Sequence, residues 1–413
     1  MTFNRRILLA GAASIALIAG ALGSPALAQD RTELVVANSQ WLDALRGSRL
    51  WAALEKYEEV NPEIDMVQQA VPYNEYADRL MTEMGAGQGP DMAIVQEGML
   101  YTMADAGFLL PLDAAAEGID LNVTNENGVI GGERLGIAWQ RAVYALIHND
   151  AILAKAGAEV PTDVDSLIAA AQAATEATGA IGLAGRHSMN EFNAWFMDFQ
   201  NWAYGFGVNW VDADGNLTIN TPEAITAVTN FAKAYSAGIM PIGDPMTTQR
   251  TRFKEEQVAF AIESSGGALN VSSGGEMPST DLGASKLPFP EPGAHQQLFI
   301  VLSRHSEHPE AALDFIAWML GDEAQQALRD VSGPDALATD VPVTEDFIAS
   351  NPWAPAFAEL AQNSRSTLIP GYEVETTSIM RIVMTAVEKV LLGAETAEDA
   401  LAEAEAEIKA DFN

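Results

Sequence analysis

The 413-residue chain contains no cysteine. That excludes a disulfide framework, a cysteine nucleophile, a zinc ribbon and an iron–sulfur site, so the fold is held by burial alone. Beyond residue 28 no stretch is long and apolar enough to cross a bilayer. Positive charge is scarce: 22 Lys and Arg stand against 57 Asp and Glu, a net charge of −35. A surface of that sign repels nucleic acid and anionic lipid over most of the molecule. It fits best a solubility adaptation, a reading compatible with a partner carrying Arg or Lys clusters. Catalytic signatures are also missing. Ser264 and Ser265 are not flanked by glycine on both sides, as a nucleophile elbow requires. His305 and His308 sit in a loop without the carboxylate of a metalloprotease helix. Carboxylate pairs are too common at this composition to point to glycoside hydrolysis.

What is present begins with a leader. Arg5 and Arg6 precede an apolar run over residues 7–22, and Ala26-Leu27-Ala28 offers a small-residue cleavage site. This is the order of a secretory signal peptide, cleaved near Ala28, with Sec or twin-arginine export left open. With no cysteine after the cut there is no lipid anchor, so a soluble periplasmic protein is expected, at −35 − 2 = −37 charges. About 385 residues then remain (413 − 28), enough for two domains of ordinary size.

The stretch YADRLMTEMGAGQGPDMAIVQEGMLYTMADAGFLLPLD, residues 76–113, organises the rest. Tyr76, Leu80 and Met84 keep helical spacing, and Gly85, Gly87, Gly89 and Pro90 stop the helix. Met92-Ala93-Ile94-Val95 is apolar at every position, as in a strand covered on both faces. Gln96, Glu97 and Gly98 follow at its carboxyl end, where ligands sit in open α/β sheets. Upstream, residues 34–37 and 64–67 read as strands separated by a helix over 49–60. The order β, α, β, α, β calls for a parallel sheet with helices on both faces. The GAGQG run lies between helix and strand, the reverse of a dinucleotide loop, and reads as a turn.

Residues 135–149 form a long β-rich segment with Gln140 and Arg141 in its middle, read as a hinge strand shared by two lobes. A helix capped by Thr162 follows, then a strand end at Arg186 and His187. In the aromatic helix beyond it, Phe192, Phe196, Phe199 and Ala203 make one core stripe. Trp195 and Trp202 fall off that stripe, and one of them is a candidate ligand platform. Asp212, Asp214, Asn216 and Glu223 have calcium-loop spacing but lack glycine at position six, so a hairpin turn is the better reading. Residues 258–262 form another buried strand ending in Glu263-Ser264-Ser265-Gly266-Gly267. A linker over 283–292, a strand over 298–302, one helix over 309–328 and a helical remainder from 344 complete the expectation. Crossings near 141–149, 286–296 and 333–345 make both lobes discontinuous, which suits hinge closure over a cleft.

Strand ends and hinge therefore gather neutral or arginine-bearing polar groups with tryptophans: Gln40 and Trp41, Gln96 and Glu97, Gln140 and Arg141, Arg186, Asn193 and Trp195, Ser265 and Gly267. A polyhydroxylated ligand needs this mixture. Indole faces cover the C–H face of a sugar ring, and planar side chains bond neighbouring hydroxyls.

The ordered series YEEVNPEIDM, AGQGPDMAIVQ, MADAGFLLPLD, YALIHNDAIL, GAEVPTDVDSLIAAA, FKEEQVAFAIESSG, HPEAALDFIAWMLGDEAQQ and VEKVLLGAETAEDALAEAEAEI resembles the extracellular solute-binding proteins of bacterial ABC importers, the sugar-binding family that includes maltose-binding protein. The resemblance implies an α/β fold of two discontinuous lobes around a ligand cleft. It puts 29–141 and 297–338 in the N-terminal lobe, and 142–296 and 339–413 in the C-terminal lobe. It implies a monomer that binds a carbohydrate or polyol and meets the transmembrane subunits of a permease, with no cofactor, no metal and no covalent chemistry. Another cleft wall is expected at residues 377–381, which adds Tyr372 and Arg381 to the ligand set. The chain departs from the family at Gly266-Gly267-Ala268, where a tryptophan is usual, at Ala138 for proline, and at His148 for tyrosine. The competing expectations are a secreted polysaccharide-acting enzyme and a partner that hands its ligand to a sensor.

Overall fold

The computed structural model describes residues 31–43, 46–241 and 243–412. The leader expected over residues 1–28 lies outside the described residues. The strands that position the site are β1 (Thr32–Asn38), β2 (Ile64–Ala70), β3 (Met92–Gln96), β4 (Ile137–Asn149), β5 (Ile181–Ala184), β6 (Val258–Ser264), β7 (Leu282–Ser285), β8 (Ala294–Ser303) and β9 (Arg365–Ser366). Their order across the sheet is β2-β1-β3-β8-β4-β6-β5. The pairs β1/β2, β1/β3 and β5/β6 are parallel, as the alternation of strands and helices requires. β8 returns antiparallel between β3 and β4.

β4 is the shared strand. Its first half pairs with β8 through Ile137 to Val143, and its second half with β6 from Tyr144 to His148. Two pairs of apolar clusters sit on either side of that change of partner. Leu34, Val36, Ile94, Ile300 and Phe315 fill one face of the N-terminal lobe, and Ala37, Val95, Leu80, Leu100 and Phe299 the other. Alternate residues of one strand feed opposite clusters, which is why the run from Met92 to Val95 has no polar position. In the C-terminal lobe Leu146, Leu183 and Ile262 face one cluster, and Ala145, Ile147 and Ala261 the other. Each large side chain removed from water contributes roughly 2 kcal/mol.

Several boundaries differ from the sequence reading. The helix expected over 309–328 is two, Pro309–Met319 and Asp322–Ser332, because Gly321 takes an extended conformation and caps the second. Asp163, not Thr162, caps the helix Val164–Thr178, exchanging hydrogen bonds with Ser166 in a capping box. The expected linker at 283 is strand β7, paired with β4. The helical remainder is broken into Glu345–Ser350, Ala354–Leu360, Thr376–Leu391 and Ala397–Phe412, with β9 between. The helix expected over 49–60 divides at Lys56 into Gly47–Glu55 and Tyr57–Val60. Asp212 accepts from the backbone N–H groups of Asp214 and Asn216 inside a bridge between Val211 and Leu217, the hairpin reading.

Candidate functional site

The carboxyl ends of β1, β2 and β3 form one lip, and those of β5 and β6 the other. After β1, the Asn38 side chain accepts from the Gln40 N–H at 3.0 Å and turns the chain into a 3-10 helix, Ser39–Leu42. Gln40 is thereby aimed at the hinge. Its Nε2 donates to Gln140 Oε1 at 3.1 Å, and its Oε1 accepts from Trp139 Nε1 at 3.0 Å. Gln140 Oε1 also accepts from Arg46 Nη2 at 2.7 Å, while its Nε2 donates to Asp335 Oδ2 at 2.9 Å. Ser265, at the end of β6, donates its hydroxyl to Asp335 Oδ1. One polar chain thus runs from the end of β1 through the hinge strand into the other lobe.

Gln96, ending β3, donates to the Tyr73 hydroxyl at 2.9 Å. Tyr73 follows the end of β2 and keeps 47% of its surface exposed. Burial of its hydroxyl raises its pKa, and Arg250 and Arg186 of the opposite lobe lie within electrostatic reach. Asp43 similarly faces Arg46 on its own side and Arg250 and Lys254 on the other, with burial raising its pKa. Glu97, 4% exposed, accepts from Asn127 Nδ2 and from Ser366 Oγ, both at 2.6 Å. Burial raises its pKa, opposed by those two bonds and by Arg141. Arg141 Nε donates to Gln297 at 3.0 Å. Neighbours on a strand point to opposite faces, so Gln140 serves Asp335 and Arg141 serves Glu97.

Arg186, after β5, is buried in a cluster of charges. Its Nη1 donates to both oxygens of Asp198 at 2.6 and 2.7 Å, and its Nη2 to Glu263 at 3.1 Å. Arg250 forks onto the same Glu263 with two bonds of 2.8 Å. Burial alone would raise Glu263, but Arg250 and Arg186 hold it down at about 2. Burial pushes Asp198 up to about 6 in spite of Arg186. The cluster balances two guanidinium charges against two carboxylates. Among the described residues Arg186 Nε has no hydrogen-bond partner, and this side chain helps line two small cavities.

The remaining sequence-predicted residues are placed differently. Trp41 is packed edge-on against Trp51 and Trp139 with its Nε1 donating to Val36 O at 3.0 Å. Trp195 is 0% exposed within the C-terminal lobe. Neither ring has the open face the sequence reading gave it. The helix Phe192–Gly205 is buried nearly all round, so being off its main stripe does not expose an indole. Gly267 is required by Glu263: a Cβ there would lie 2.2 Å from that carboxylate. Asn193 is exposed at the start of the same helix, and Arg381 stacks on its neighbour Phe192 at 4.0 Å. Tyr372 packs half-buried against the C-terminal core. The structure therefore joins Gln40, Gln140 and Ser265 through Asp335, sets Arg141 within electrostatic reach of Glu97, and joins Gln96 to Tyr73. Trp41 and Trp195 stay apart in the cores.

Sequence reasoning missed Tyr73, Arg250, Asp335, Asn127 and Ser366. Tyr73 had a signal, since it follows a strand end; Arg250, Asp335 and Asn127 come from helices and a loop with none, and Ser366 from the two-residue strand β9. Among the described residues no group of three or more His, Cys, Asp or Glu side chains could hold a metal ion. The carboxylates of Glu97, Asp198, Glu263 and Asp335 are each bonded to an amide, a hydroxyl or a guanidinium, and the lips offer hydrogen-bond donors and acceptors rather than a nucleophile beside a base.

Two lobes, discontinuous in sequence and joined by hinge strands around a cleft, define a ligand-capturing protein. The family model for bacterial extracellular solute-binding proteins matches residues 44–326, and the chain belongs to that family. A Brucella abortus (strain 2308) protein named as a binding protein is 23% identical over 362 residues, covering 82% of this chain and 83% of its own. The GacH receptor of Streptomyces glaucescens GLA.O, solved unliganded and with acarbose, superimposes with a TM-score of 0.82 at 20% identity, over 92% of this chain and 98% of its own. Maltose-bound T. maritima MalE3 gives 0.80 at 20% identity, over 92% and 99%. At such identities the likeness concerns the fold.

Proposed function

We propose that the protein is the periplasmic binding subunit of an ABC importer, capturing a carbohydrate or polyol by hinge closure and delivering it to the permease. The observation that carries this reading is the pair of strand-end lips, rich in charge-balanced hydrogen-bonding groups, on either side of a strand both lobes share. The lobes we assign are 29–141 with 297–338, and 142–296 with 339–413. Tyr73 offers the aromatic face for the C–H side of a sugar ring, with Gln40 and Gln96 beside it. Arg186, Arg250 and Glu263 offer paired hydrogen bonds from the opposite lip. Asn193, Tyr372 and Arg381 are the outer wall of the C-terminal lobe. Two guanidiniums balanced by two carboxylates favour a neutral ligand. The proteins of known structure compared above hold acarbose and maltose, both carbohydrates. The protein is exported, works as a monomer, and needs neither cofactor nor metal.

Calorimetric titration with mono-, di- and oligosaccharides, polyols and glycerol phosphates, with chromatography of each mixture, tests the proposal. One-to-one binding without a new product supports it; turnover of any glycan, or no binding across the panel, overturns it. Tyr73→Ala is expected to weaken the bound ligand by ~1–3 kcal/mol, and unchanged affinity removes Tyr73 from the site.

A further inference from the structure

We propose that two serine–carboxylate hydrogen bonds, one on each face of the hinge strand, latch the lobes together, and that these serines set affinity without touching the ligand. This rests on the two-lobe closure proposed above. In the first bond Asp335 supplies the carboxylate. Its loop belongs to the N-terminal lobe, where Leu337 and Ala338 are core residues. Arg329 Nη1 bonds Gly333 O at 2.6 Å, fixing the loop. Asp335 is 0% exposed. Its Oδ2 is held by Gln140 at 2.9 Å, with Arg46 at 3.7 Å, and its Oδ1 is left for the Ser265 hydroxyl of the opposite lobe. Gly266, beside Ser265, also lies against the opposite lobe: its Cβ position is 3.3 Å from Arg46 Nη1 and 3.5 Å from Asp335 Oδ2.

The second bond has the same construction. Glu97 comes from the N-terminal lobe, at the start of the helix Glu97–Asp105. One oxygen is held by Asn127 of its own lobe, and Arg141 stands within electrostatic reach. The other oxygen accepts from Ser366 at 2.6 Å. Ser366 belongs to the C-terminal lobe: β9 pairs with the start of β8, and Tyr204 donates to Ser366 O at 2.9 Å. In both latches the carboxylate is N-terminal, the hydroxyl C-terminal, an amide occupies the second oxygen and an arginine stands by. Opening the hinge leaves the own-lobe partners in place and breaks only the serine contacts.

A group that shifts the closed population scales the apparent affinity of every ligand by one factor, whereas a ligand contact changes ligands unequally. The test is Ser265→Ala with Ser366→Ala. The cysteine-free chain accepts a pair of spin labels, one per lobe, at the exposed positions Glu59→Cys and Glu176→Cys. In the ligand-free protein the double variant is expected to move the interlabel distances outward. It should also weaken every binder in the saccharide and polyol panel by the same factor, roughly tenfold. Unchanged distances overturn the latch. So does a factor that varies from ligand to ligand, which makes the serines contacts. If nothing in the panel binds, the binding reading falls, and the ligand-free distances still decide the latch.

Discussion

Glu263 holds two arginines on one carboxylate. Replacing it by Gln removes a charge that Arg186 and Arg250 both use; among the described residues Arg186 then keeps Asp198, while the half-buried Arg250 keeps no direct carboxylate partner. We expect Glu263→Gln to lower stability by ~3 kcal/mol, read from denaturant or thermal midpoints. The pH dependence follows from the direction of the shift. Glu263 is held at about 2 against an ordinary 4.5. Its contribution is therefore complete above the ordinary value and lost as the pH falls toward the folded one. The gap between parent and variant should be widest near neutrality and narrow below pH ~4.5; a gap independent of pH would mean the charge is not what matters. At this scale the sequence disclosed the strand ends. Gln40, Gln96, Glu97, Arg186 and Ser265 were legible because a strand end in an α/β sheet opens on a cleft. Arg250 and Asp335 were not, because the groups they bond, Glu263 and Gln140, meet them only through the tertiary fold.

Among the elements, the helix Phe192–Gly205 shows how far periodicity carries. Its spacing identified the helix and one buried stripe. It gave no warning that the opposite side is buried too, by Phe231 and Phe289 against Trp202. Gly205 closes that packing: a Cβ would lie 2.5 Å from Phe289. Gly205→Ala should thus destabilise by ~1–3 kcal/mol through overpacking, although alanine favours helix more than glycine does. A neutral or raised thermal midpoint would show that Phe289 yields freely. The strands were read well where both faces are apolar, as in β3, and poorly where pairing is short. Strand β7 and the two residues of β9 carry no periodic signal, and a proline-rich neighbourhood masked the first.

For the whole molecule, charge is the dominant fact. With 57 acidic residues against 22 basic ones, most carboxylates have no cationic partner and repel one another. Raising sodium chloride from ~20 mM to ~0.5 M should therefore raise the thermal midpoint, because screening relieves that repulsion. A fall instead would mean that the surface ion pairs outweigh it. The α/β character, the discontinuous lobes and the hinge could be read from the order of strands and helices. The identity of the cleft walls could not, since it depends on how tightly two surfaces distant in sequence approach one another.

Strand β8 lies between β3 and β4 although nearly 150 residues separate it from β4 in the chain, Asn149 to Ala294. Until Ala294 and its successors arrive, β3 and the first half of β4 each present an unsatisfied ladder edge. A growing polypeptide thus cannot finish its first half early and seal it. Assembly waits for the late insertion of one ribbon, and any truncation before that ribbon leaves two sticky margins bare.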